Sequence, residues 1–111
     1  VALSPEYAAA RYRVVLVHAP LHRAVSTDFD RIGQWLISRK DIDLMVSGHI
    51  HLRGIWLPPE TRLPFVVATS GGPTPSEAAF VQVRTARSGL EVRVVDVDGQ
   101  VVSSTVIGQG K

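Results

Sequence analysis

The sequence predicts an α/β fold in a single domain, with strand–helix–strand in its first half and consecutive hairpins in its second. Three observations carry that prediction. Short apolar runs of strand length recur at Tyr12–Val17 (rich in β-branched residues), Asp43–Ser47 and Phe65–Thr69, each followed by a turn-forming or polar stretch. Between the first two, Phe29, Ile32 and Leu36 recur at spacings of three and four, the period of one helix face. From Ala79 onward the pattern changes to partial alternation, punctuated at Ser88-Gly89 and Asp98-Gly99. This order suggests one mixed sheet rather than two domains. A length of 111 residues with 45% apolar content suits one core, and 6% aromatics means that Val, Leu, Ile and Ala must fill it.

Residues 1–10, ending in Tyr7-Ala8-Ala9-Ala10, are expected to form a short helix tail or linker. Tyr12–Val17 lacks alternation beyond Arg13, which predicts a strand buried on both faces, and Pro20 forbids its continuation. Ser26-Thr27 with Asp28 and Asp30 opens the helix, and Arg39-Lys40 closes it where cations suit the dipole. Trp35, beside the apolar stripe, and Trp56 are expected to pack rather than to bind substrate. The second strand stops at Gly48-His49-Ile50-His51, and residues 54–64, with Pro58-Pro59 at their centre, are expected to be a looser connection. The third strand ends in Ser70-Gly71-Gly72-Pro73. Ala79–Arg84, Leu90–Asp96 and Gln100–Val106 then form an antiparallel meander. Residues 11–57 thus make the strand–helix–strand part and 65–107 the closing strands and hairpins.

Composition narrows the function classes. Without cysteine there is no disulfide and no thiolate metal site, which fits a reducing, cytoplasmic setting. Apolar runs such as Val14–Val17 fall far short of the roughly 18–20 residues that span a bilayer. The net charge is only +2, and the basic residues, mostly Arg, are dispersed from Arg11 to Arg93. Phosphate-driven nucleic-acid binding needs a clustered basic face, so the pattern argues against it.

The four histidines hold the chemistry. His18 and His22 follow the first strand, and His49 and His51 follow the second. Functional groups in open α/β sheets gather beyond the carboxyl ends of strands. If the two strands are parallel neighbours joined by the helix, both clusters reach one edge. Converging imidazoles without cysteine suggest a nitrogen–oxygen metal site, compatible with Mn, Fe, Zn or Ni. Gly48 is expected to supply permissive dihedrals for the turn that directs His49 and His51 toward different ions.

Val14-Val15-Leu16-Val17-His18-Ala19-Pro20 and Asp43-Leu44-Met45-Val46-Ser47-Gly48-His49-Ile50-His51 resemble the last two motifs of the calcineurin-like metallophosphoesterases. The turn at Thr69-Ser70-Gly71-Gly72 resembles that family's small-residue turn, and the later hairpins resemble its closing strands. The resemblance implies the C-terminal half of a two-sheet α/β/β/α sandwich. It implies that His18 and His49 share one divalent ion while His51 holds a second. It further implies a phosphohydrolase acting on a phosphomonoester or phosphodiester, with two ions that polarise the phosphoryl group and lower the pKa of a bridging water.

The family's Asp-x-His, Gly-Asp-x-x-Asp and Gly-Asn-His-Asp/Glu motifs have no counterpart here. Two neighbouring cations need an anionic bridge that neutral imidazoles cannot supply. Asp41 and Asp43 precede their strand, Asp28 and Asp30 open the helix, and Asp96 and Asp98 lie in the hairpins. The general acid and bridging carboxylate are therefore expected from a missing N-terminal half, in the same polypeptide or a partner chain, and the isolated chain is expected to be inactive. His22, Arg23 and Arg53 are the candidate contacts to a substrate phosphate. The alternative function is a non-catalytic fold remnant that binds a protein or a single metal ion.

Overall fold

A computed structural model describes residues 4–18, 38–39, 41–48, 52–57, 63–68 and 77–108. Within them the chain is built from sheets, with one short helix, α1 (Pro5–Ala9). The strands are β1 (Val14–Val17), β2 (Leu44–Ser47), β3 (Gly54–Trp56), β4 (Phe65–Val67), β5 (Ala79–Ala86), β6 (Gly89–Asp96) and β7 (Val101–Ile107). They form two sheets: a four-stranded mixed sheet in the order β1-β2-β4-β3, and a three-stranded sheet in the order β5-β6-β7. The single mixed sheet suggested by the strand order is thus corrected to two, because the hairpin strands pair with one another and meet the first sheet face to face.

β1 and β2 are parallel and in register from Val14↔Leu44 to Val17↔Ser47, and β2 and β4 are parallel as well. Parallel neighbours require a crossover of about a dozen residues or more, usually a helix. Of the helix predicted from Ser26-Thr27 to Arg39-Lys40, only Ser38 and Arg39 fall within the described residues, and Ser38 is helical. β3 runs antiparallel to β4, with Gly54↔Val67 and Trp56↔Phe65. Residues 54–56 are therefore a strand and not part of a loose connection. Three residues beside a proline-rich stretch carry too little alternation to announce themselves.

The core has two parts, one on each face of the mixed sheet. Leu44 and Val66 on one face pack with Leu90, Val92 and Val94 of β6, which joins the two sheets. Ile42, Met45, Leu63 and Phe65 form the second cluster on the opposite face, with Val15, Val17 and Trp56 against it. β2 is buried along almost its whole length, as its unbroken apolar run predicts. β1 differs. It is an edge strand, and Leu16, on the same face as buried Leu44, is 76% exposed. The expectation of burial on both faces fails for β1 because a β-branched run specifies a strand but not its neighbours.

The hairpins follow their sequence signals. β5 and β6 pair without interruption from Ala79↔Asp96 to Ala86↔Gly89, and β6 pairs with β7 around a bulge that leaves Val102 unopposed. At the second turn Gly99 adopts φ 78°, open to glycine at little cost. The Asp96 carboxylate accepts from the amides of Asp98 and Gln100, both at 2.9 Å, and so closes that turn.

At the other end of the sheet, α1 is capped by Ser4, whose hydroxyl accepts from the Tyr7 amide at 3.1 Å, with Pro5 opening the helix. Five residues cannot sustain a helix alone. Tyr7 anchors it instead: its hydroxyl donates to Asp41 at 3.0 Å, and the Arg13 guanidinium lies 4.9 Å over its ring. Arg13 also donates to the Tyr7 and Ala8 carbonyls, both at 2.9 Å, capping the helix end.

Candidate functional site

The parallel pairing of β1, β2 and β4 sends their carboxyl ends to one edge of the mixed sheet, and antiparallel β3 brings its amino end there. The last row in register reads Val17, Ser47, Val67 and Gly54 across the four strands. One residue further out lie His18, Gly48, Ala68 and Arg53. Backbone hydrogen bonds carry the ladder into that row: the Gly48 amide donates to the His18 carbonyl at 2.9 Å, and the Ala68 amide donates to the Ser47 carbonyl at 3.1 Å. His18, an exposed residue, thus stands directly beside Gly48, and His49 is the next residue in the chain. The condition set by the sequence, that the two histidine-bearing strands be parallel neighbours, is met by β1 and β2.

Gly48 has a different reason to be glycine from the one expected. It does not adopt a positive φ, unlike Gly54, Gly89, Gly99 and Gly108. A Cβ there would lie 3.2 Å from the Ala68 carbonyl oxygen and 3.9 Å from that of His18. The residue is small because the neighbouring backbone at Ala68 closes on it, not because the chain must turn left-handed.

Of the residues singled out by sequence, His18 and Arg53 belong to the described part, whereas His22, Arg23, His49 and His51 lie outside it. Among the described residues no group of three or more His, Cys, Asp or Glu side chains is placed to hold a metal ion. The acids explain this. Asp41 and Asp43 sit at the amino end of β2, opposite the histidine edge. Asp43 accepts from the Arg13 amide at 2.9 Å. Asp41 receives Arg39 Nε at 2.8 Å, and that guanidinium holds its carboxyl well below the usual carboxylate range. Asp96 closes the β6–β7 turn, and Asp28 and Asp30 lie outside the described residues.

Sequence reasoning did not consider Glu77, which precedes β5 and approaches Arg53, with Oε2 3.9 Å from Nε. Nothing in its sequence context marked it, since the approach depends on how the two sheets pack. Its charge faces a guanidinium rather than a cation site. The Arg53 side chain is only 26% exposed, and its Nη1 is buried with no hydrogen-bond partner among the described residues. Ser47 Oγ, at the end of β2, is likewise buried and unpartnered among them.

A depression of about 150 Å³ lies elsewhere, between β6 and β7, lined by Glu91, Val92, Arg93, Ser104, Thr105 and Val106. Glu91 pairs there with Arg84, and Arg93 lies 3.9 Å from it.

No family model and no curated protein matches this chain. No helix among the described residues is long and apolar enough to cross a membrane.

Proposed function

We propose that this chain supplies the histidine ligands of a metal-dependent phosphohydrolase, a phosphomonoesterase or phosphodiesterase with a dinuclear centre. The observation that carries the reading is the bond between the Gly48 amide and the His18 carbonyl, which sets the lone histidine beside the start of Gly-His-x-His. His18 and His49 would hold one divalent ion (Mn, Fe, Zn or Ni) and His51 the second, in the C-terminal half of a two-sheet metallophosphoesterase sandwich. The donor set fits the nitrogen side of such a site, with imidazoles and no thiolate. When bound, two ions supply Lewis acidity toward a phosphoryl oxygen and lower the pKa of a water.

The carboxylates of the site come from a segment outside these 111 residues, in the same polypeptide or a partner chain. Two observations support this. The described acids of β2 and the hairpins are placed away from the histidine edge or engaged elsewhere. β1 stands at a sheet edge with Val14 and Leu16 exposed on the face that buries Leu44, leaving room for further strands. The absence of cysteine supports a cytoplasmic setting.

The test is hydrolysis of bis-p-nitrophenyl phosphate by the protein completed with its acidic segment. His49→Ala and His51→Ala should each abolish the metal-stimulated rate. Unchanged hydrolysis in both variants sinks the ligand assignment. A second reading, a non-catalytic module holding one ion or a protein, is favoured by the lack, among the described residues, of a group of three or more His, Cys, Asp or Glu side chains placed to hold a metal ion. It predicts no hydrolysis even after the acidic segment is supplied.

A further inference from the structure

Arg53 occupies the histidine-bearing edge of the mixed sheet. It precedes Gly54, which pairs through Val67 with Ser47, so its backbone lies two strand spacings, about 10 Å, from that of Gly48. Sequence alone makes it a candidate phosphate contact, and in the structure three-quarters of its side chain is covered and Nη1 is wholly buried.

A guanidinium stays charged at any physiological pH, so burying one of its nitrogens without an acceptor is costly, and an anion is the acceptor that also offsets its charge. Glu77 does not meet that need. At 3.9 Å from Nε it is beyond hydrogen-bond range, and its side chain is 53% exposed. A solvated pair of this kind contributes little and leaves Nη1 unsatisfied. The group is therefore held close to the sheet edge with hydrogen-bonding capacity in reserve. The guanidinium fork matches two oxygens of a tetrahedral oxyanion better than any ammonium does.

We propose that Arg53 is an oxyanion-binding residue that receives the phosphoryl group of the substrate at the histidine edge, with Glu77 as the weak counter-ion it exchanges on binding. The position of this site rests on the Arg53 geometry alone; that the oxyanion is a phosphoryl group rests on the phosphohydrolase reading.

The experiment is calorimetric titration of inorganic phosphate into the purified protein at low ionic strength, with EDTA present so that metal makes no contribution. The wild type should bind phosphate, and Arg53→Ala should weaken binding about tenfold or more, the range for a lost charge-assisted contact. Arg53→Lys keeps the charge without the fork and should fall between them. Glu77→Gln should strengthen binding by removing the competing carboxylate. Phosphate affinity that is absent in the wild type, equal in Arg53→Ala, or matched by acetate overturns the proposal. Should Arg53→Ala fail to fold, unchanged affinity in both Arg53→Lys and Glu77→Gln overturns it equally. Because metal is excluded, Arg53-dependent phosphate binding in a protein without hydrolytic activity would uphold this site and reject the hydrolase.

Discussion

An alanine at position 48 would bring its Cβ to 3.2 Å from the Ala68 carbonyl oxygen, a backbone atom fixed by the β2–β4 pairing. Either β4 retreats or the Gly48 amide moves off the His18 carbonyl. Gly48→Ala should therefore destabilise the fold by about 1–3 kcal/mol, the usual cost of overpacking. It should also speed hydrogen exchange of the Gly48 amide; wild-type stability and exchange would refute the close-approach account. The identity of this glycine was legible in the sequence, but its cause was not, because close approach depends on strands far away in the chain. Asp41 presents the converse case, a side chain whose role is electrostatic. Arg39 lowers its folded pKa, so its contribution is fully present above the unfolded carboxyl value of about 3.9 and is lost as pH falls toward the folded one. Asp41→Asn should thus be less stable than wild type at pH 7, with the gap shrinking as pH drops below about 4. Urea denaturation at both pH values checks this, and a gap independent of pH would count against the ion pair.

The neighbouring strands β1 and β2 make the same comparison possible one level up. Leu16 and Leu44 share a face of the mixed sheet, but Leu16 is 76% exposed and Leu44 is fully buried beneath β6. Leu44→Ala should cost about 2–5 kcal/mol through lost burial and a residual cavity. Leu16→Ala should stay within about 0.5 kcal/mol, the range of a surface change. Equal losses on urea titration would show that the β1 face is covered in solution. The two strands look alike in sequence, and this is where reading from sequence stopped: an apolar run shows that a segment is strand-like, while edge or centre is decided by what pairs alongside. The hairpins were legible nearly to the residue, since their partners are adjacent in sequence and their turns carry Asp98-Gly99 and Gly89. β3 was not, because its pairing with β4 is set across the 58–64 connection.

At the scale of the whole molecule, the histidine edge and the acids that precede β2 sit at opposite ends of the same sheet, and that separation limits what the chain can hold. Parallel pairing carries His18 and Gly48 to the carboxyl ends of β1 and β2. The same pairing puts Asp41 and Asp43 at the amino end of β2, where they bind Arg39, Tyr7 and the Arg13 backbone. Moving those carboxylates to the histidines would require β2 to reverse direction and abandon both parallel partners. The sequence permitted this argument, because chain direction alone places Asp43 before the strand and His49 after it. Metal titration of the purified 111-residue chain, read by calorimetry and elemental analysis, should therefore find no tight pair of ions. Two mutually repelling cations without a bridging anion bind far more weakly than one. Adding the acidic segment should raise the stoichiometry to two and tighten both ions together. Tight binding of two ions by the chain alone would mean that an acid of this chain bridges them (Asp28, Asp30 or Glu60 outside the described residues, or Glu77 beside Arg53), and the missing-half reading would have to be withdrawn.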